Sequence, residues 1–109
     1  MVRLLDVKLD IGNRAHARGV KLIGATISRS EGADIPGYYS ESKDAVRQTA
    51  NKWIRTSGSF DAVIDFDPVF RDPDHPSRLL PRFASKNRLH PNDVGYQAMA
   101  DAIDLALLK

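Results

Sequence analysis

A chain of 109 residues, 42% hydrophobic, with 16 basic and 14 acidic side chains, is enough for one domain around one modest core. The net charge of +2 comes with no run of like charges and no basic patch interleaved with aromatics, so a nucleic-acid partner is not expected. With no cysteine, disulfides, thiol nucleophiles and thiolate metal sites are excluded together.

No apolar run approaches the roughly 20 residues that span a bilayer. The start, Met1-Val2-Arg3-Leu4-Leu5-Asp6, lacks the long apolar region and small-residue cleavage site of a signal peptide. The expectation is therefore a soluble chain, cytoplasmic by default unless a leader was removed upstream.

Residues 2–11 carry two patterns. Val7-Lys8-Leu9-Asp10-Ile11 alternates like a half-buried strand, while Leu4, Val7, Ile11 and Ala15 share one helical face. Gly12 and Asn13 could end the strand or interrupt the helix; helix is the favoured state, with Gly19 closing it. Val20 to Ile27 is a short apolar run bounded by Gly19 and Ser28, which predicts a buried strand. The Ser, Gly, Asp and Pro cluster at 28–39 predicts a loop at the strand's C-terminal end, where open α/β sheets place their sites.

A second helix is expected from Ser40 or Ser42, with Ala45, Val46, Ala50, Trp53 and Ile54 facing inward and Gly58 ending it. Phe60 to Phe66 predicts the second strand. Residues 67–86 read as a long Pro- and Asp-containing loop, a length that points to a nearby site. A last helix follows Asn92 or Asp93, with Val94, Met99, Ala102, Ile103 and Ala106 inward. This order predicts an α/β fold with a short parallel sheet of about two strands. Two strands leave an edge exposed or covered by something else, so a homo-oligomer or a complementary N-terminal chain is expected.

The stretch Asn87-Arg88-Leu89-His90-Pro91-Asn92-Asp93 sets a histidine on a short loop before that helix. Asn87 stands three places upstream, a spacing that lets its side chain reach back and orient the imidazole. Four segments in order, Ala15–Thr26, Val46–Arg55, Phe60–Asp67 and Leu89–Ala100, resemble the C-terminal half of an SGNH (GDSL-type) ester hydrolase. The resemblance implies a three-layer flavodoxin-like fold and a single, partial domain over 1–109. It also implies a serine hydrolase of carboxylic esters, including acetylated sugars or lipids, in a family whose members are often secreted. His90 then takes the general-base position, and Asn87 the position of the aspartate that orients it.

The departures from the family pattern are chemical. An amide at Asn87 cannot stabilise an imidazolium as a carboxylate does, and it can select the wrong tautomer; in a serine protease the equivalent change costs about 10⁴-fold in turnover. The family's serine, glycine and asparagine motifs have no counterpart: there is no Gly-Asp-Ser near the start and no Gly-x-Asn-Asp anywhere. Without nucleophile and oxyanion donors the covalent route is missing, so the chain alone is expected to be inactive or very weak. Ser28, Ser30 and Ser85 are the substitute nucleophiles to weigh against plain loop polarity.

Two alternatives remain beside the hydrolase. One is a non-catalytic interaction module that pairs through its exposed strand edges. The other is a phosphatase built on Asp65-Phe66-Asp67, a strand-then-Asp-x-Asp pattern, although only about forty residues follow it and such folds need more chain. His16 and His75 have no ligand-like spacing, so neither a metal nor a cofactor is expected.

Overall fold

The N-terminal ambiguity resolves as helix. In the computed structural model, which describes residues 2–109, α1 runs Val2–Ala17 without a break. Gly12 does not interrupt it; the glycine is buried beside the Leu22 side chain, where a methyl group would sit in ordinary contact. The helix closes at Gly19, whose positive φ of 69° lets the Gly19 and Val20 N–H groups fold back onto the His16 and Ala15 carbonyls.

Two parallel strands follow the predicted order, β1 (Ile23–Ala25) and β2 (Ala62–Ile64), paired Ile23 to Ala62, Gly24 to Val63 and Ala25 to Ile64. Both are much shorter than their apolar runs. Beyond the C-terminal end of β1, the Ile27 N–H donates to the Asn51 side-chain oxygen and the Ile27 carbonyl accepts from the Asn51 amide. A side chain thus takes over where a strand partner would have continued the ladder. Gly24 is required in β1, because a Cβ there would lie 2.7 Å from the Phe60 ring.

Between the strands, α2 (Glu41–Thr56) begins as expected at Ser40, whose hydroxyl accepts from the Lys43 N–H, and stops before Gly58 at φ 71°. Its inward face differs from the apolar pattern. Ala50 and Ile54 are buried, but Ala45 and Val46 are exposed, and Asp44, Arg47 and Asn51 take the inner positions. The helix is rotated so that its charged side chains meet charged partners from the loops after β1 and β2.

Residues 67–86 are not a featureless loop. Short 3₁₀ turns at Asp67–Phe70 and Pro81–Phe83 flank a segment that folds back on itself through an Arg71–Leu79 bridge. The last helix, α3 (Asp93–Asp101), is capped by Asn92, whose side chain accepts from the Gly95 N–H. Its inner face also differs from expectation: Met99 and Ile103 are half-buried, whereas Val94, Ala102 and Ala106 are exposed. What α3 buries is Gly95, pressed so closely against the Phe83 carbonyl and Pro91 that no side chain fits. The helix then gives way to a 3₁₀ turn at Leu105–Leu108.

Among the described residues the fully buried apolar side chains are only Ala50, Ile54, Phe70 and Leu79. Edge-to-face pairs of Trp53 with Phe60 and of Phe70 with Phe83 extend this thin core. The radius of gyration, 15.1 Å, exceeds the about 13 Å expected of a closed domain this long. Val20 and Ile27, on either side of β1, are exposed, and among the described residues no further strand pairs with the outer edge of either β1 or β2. Among the described residues, no helix is long and apolar enough to cross a membrane.

Candidate functional site

The histidine loop is held by backbone before any side chain acts. Ser85 N–H donates to the His90 carbonyl, Asn92 N–H donates to the Phe83 carbonyl, and Ala84 bridges Pro91 antiparallel. The Asn92 amide donates to the Arg82 and Ala84 carbonyls while its oxygen caps α3, so the same residue fixes loop and helix together. A link from Asp34 N–H to the Asn87 carbonyl ties this loop to the one after β1.

Inside the loop, Arg88 adopts φ 54°, the left-handed region that costs a non-glycine residue. This turn brings the Leu89 and His90 N–H groups onto the Asn87 side-chain oxygen, at 3.0 and 3.1 Å. The Ser85 hydroxyl donates to the same oxygen at 2.7 Å. Three donors on one atom identify it as the oxygen of the amide. The nitrogen therefore faces the imidazole, and it lies 3.0 Å from His90 Nδ1.

That bond biases the histidine tautomer. An amide nitrogen only donates, so Nδ1 must accept, and in the neutral ring the proton then resides on Nε2. The spacing of Asn87 and His90 read from the sequence is realised as a contact, with the chemical polarity opposite to that of an Asp–His pair. Nε2 makes no hydrogen bond within the chain among the described residues.

His90 lines an open groove of about 460 Å³, within the range of small-molecule sites. Ser28 and Ser30, from the loop after β1, line it too, together with Tyr38, Asp44 and Arg47. Two of the three candidate serines thus share the histidine's groove, but neither hydrogen-bonds the imidazole. Ser85 is committed to Asn87. His16 and His75 lie elsewhere; the His16 Nε2 meets Asp61, joining the end of α1 to the start of β2.

Behind the groove stands a charge cluster that periodicity alone did not reveal. Asp67, 4% exposed, accepts from Arg29 through Nε at 2.9 Å and Nη2 at 2.8 Å, from Arg47 Nη1 at 2.9 Å and from Arg55 Nη2 at 3.3 Å. Asp65 takes the bidentate face of Arg55 and the Thr26 hydroxyl. The Arg55 hydrogen bonds outweigh partial burial and hold the Asp65 carboxyl below the usual carboxylate range, while Arg55 itself is raised chiefly by Asp65. Burial pushes Asp44 up, but hydrogen bonds from Arg47 and Gln48 overcome it and leave the group lowered. The only sequence signal was the spacing of Asp44, Arg47 and Asn51, three polar residues on one helical stripe.

Asp65 and Asp67, the pair of the Asp-x-Asp pattern, are thus both engaged by guanidinium groups. Among the described residues no group of three or more histidines and carboxylates is placed to hold a metal ion. No protein-family model matches the chain, and no curated protein matches it.

Proposed function

We propose that this chain is the histidine-bearing part of an SGNH (GDSL)-type serine ester hydrolase of flavodoxin-like fold, and that alone it hydrolyses carboxylic esters weakly or not at all. The observation that carries this is the Asn87–His90 bond. A residue three places upstream contacts the imidazole at Nδ1, where the acid of a Ser–His–Asp relay would stand but with the opposite polarity, and among the described residues Nε2 has no partner on a groove containing Ser28 and Ser30. The parallel strand pair, with its loops feeding that groove, supports the same assignment.

The same bond weakens the base, and the missing motifs remove its partners. Acyl transfer starts when Nε2 accepts the serine proton as the oxygen attacks the ester carbonyl. With Asn87 donating to Nδ1, the tautomer that carries its proton on Nε2 is favoured roughly fivefold, so the lone pair a serine proton needs is present in the minor form only. No Gly-Asp-Ser or Gly-x-Asn-Asp motif stands in the sequence to supply the nucleophile and the oxyanion donor. The test is turnover of a short-chain nitrophenyl ester together with labelling by a fluorophosphonate probe. Background hydrolysis and no labelling are expected; robust turnover that vanishes in His90→Ala would overturn the assignment of inactivity.

A second role rests on a separate observation, the thin core beside an unpaired strand edge flanked by exposed Val20 and Ile27. These features favour pairing with another copy or with a chain carrying the rest of the sheet. Sedimentation velocity decides it: a stable, folded monomer at micromolar concentration would exclude self-pairing.

A further inference from the structure

Another groove, which shares Arg47 with the one His90 lines, has a volume of about 380 Å³ and is lined by four arginines, Arg29, Arg47, Arg55 and Arg71, with Asp67 among them. They come from three elements: the loop after β1, helix α2, and the residue ending the Asp67–Phe70 turn. From this arrangement we infer that the groove is a binding site for a phosphate-class oxyanion, free or as the ester of a small molecule.

The charge balance favours an anion. Arg29, Arg47 and Arg55 are ion-paired with three carboxylates, Asp44, Asp65 and Asp67, and Arg71, in no ion pair among the described residues, adds one excess positive charge. Asp67 is saturated, with both oxygens taken up by Arg29, Arg47 and Arg55, so it presents little repulsion of its own. The spare charge lies on Arg71, which is exposed and whose side chain hydrogen-bonds nothing among the described residues, although its field reaches Asp65.

The buried arginines contribute prepared donors. Arg29 is 4% exposed and uses Nε and Nη2 on Asp67, leaving Nη1 unbonded. Arg47 is 9% exposed and uses Nε and Nη1, leaving Nη2 unbonded. Among the described residues no fully buried side-chain nitrogen or oxygen lacks a partner, so both spare groups reach solvent despite the burial of their side chains. Their orientation is fixed in advance by the bonds to Asp67 and Asp44, so little side-chain entropy is lost when they bind a ligand. Arg55 adds an Nη1 that bonds nothing among the described residues, and Ser77 also lines the groove. Donors from several elements suit a tetrahedral oxyanion with three free oxygens better than a planar carboxylate. The groove is also several times larger than a phosphate ion, which leaves room for an esterified group.

The experiment titrates inorganic phosphate, glycerol phosphate and acetate into the full chain at constant ionic strength, followed by calorimetry and by backbone amide shifts. Saturable binding is expected for both phosphates and not for acetate, with shifts at Arg29, Arg47 and Ser77. Arg71→Ala, an exposed change that leaves the buried cluster intact, should weaken binding about tenfold, and Arg71→Lys should restore part of it. Absence of saturation, equal binding of acetate, or an affinity unchanged in Arg71→Ala would each overturn the site.

Discussion

Replacing Asn87 by aspartate tests the central feature of the histidine loop with almost no change of shape. The Asn87 oxygen would keep its three donors, the Ser85 hydroxyl and the Leu89 and His90 N–H groups. The second carboxylate oxygen would replace the amide nitrogen 3.0 Å from His90 Nδ1. In the native chain the amide-to-Nδ1 bond favours the Nε2–H tautomer by the net worth of one neutral hydrogen bond, about 1 kcal/mol, or roughly fivefold. In Asn87→Asp the bond reverses direction and gains charge. An Nδ1–H donating to a carboxylate is worth about 1.5–3 kcal/mol, so Nδ1–H should dominate by about tenfold to a hundredfold. Nitrogen-15 chemical shifts of the imidazole, measured in alkaline buffer where free imidazole is neutral, read the two tautomers directly. A native chain already in the Nδ1–H form, or a variant that stays Nε2–H, would refute the assignment of the Asn87 amide.

The charge cluster makes a graded prediction for stability. Asp67→Ala leaves Arg29 and Arg47 buried without their shared carboxylate and should cost about 3–5 kcal/mol in urea unfolding. Asp65→Ala removes a pair whose side chains are 38% and 35% exposed and should cost about 1 kcal/mol or less; equal losses would refute the difference in burial. Acid should also unfold the chain in a defined direction. Asp65 and Asp44 are lowered as described above, and Asp61 is lowered by the Leu22 N–H and then by His16. For a lowered carboxylate the unfolded chain binds protons first, so its stabilisation is complete above the ordinary aspartate pKa of about 3.9. It is lost as pH falls from there through the lowered native values. A urea midpoint that stays constant from about pH 6 down to about pH 3 would contradict this.

Much of the secondary structure was legible because its signals are local. The Ser40 cap, the stop at Gly58, the Asn92 cap and the order of two strands among three helices depend on residues a few places apart, and all are present in the structure. The contact between Asn87 and His90 was legible for the same reason, since a three-residue offset across one turn brings the two side chains together. Helix orientation was less legible. Apolar periodicity placed Ala45, Val46 and Val94 inside, and all three are exposed. A charged stripe and a glycine displaced them: Asp44, Arg47 and Asn51 on α2, and Gly95 on α3.

The sequence by itself determined that a histidine sits on a capped loop with an amide, not a carboxylate, three residues upstream. Only the tertiary structure decided which way that amide points. Its oxygen is claimed by two backbone N–H groups, which align only because Arg88 turns into the left-handed region. The arginine cluster was likewise beyond local pattern. Arg29 and Asp67 are separated by 38 positions and meet because the parallel crossover from β1 through α2 to β2 brings their two loops to the same end of the sheet. Charges that far apart leave no periodic trace, and their pairing is a property of the packed fold.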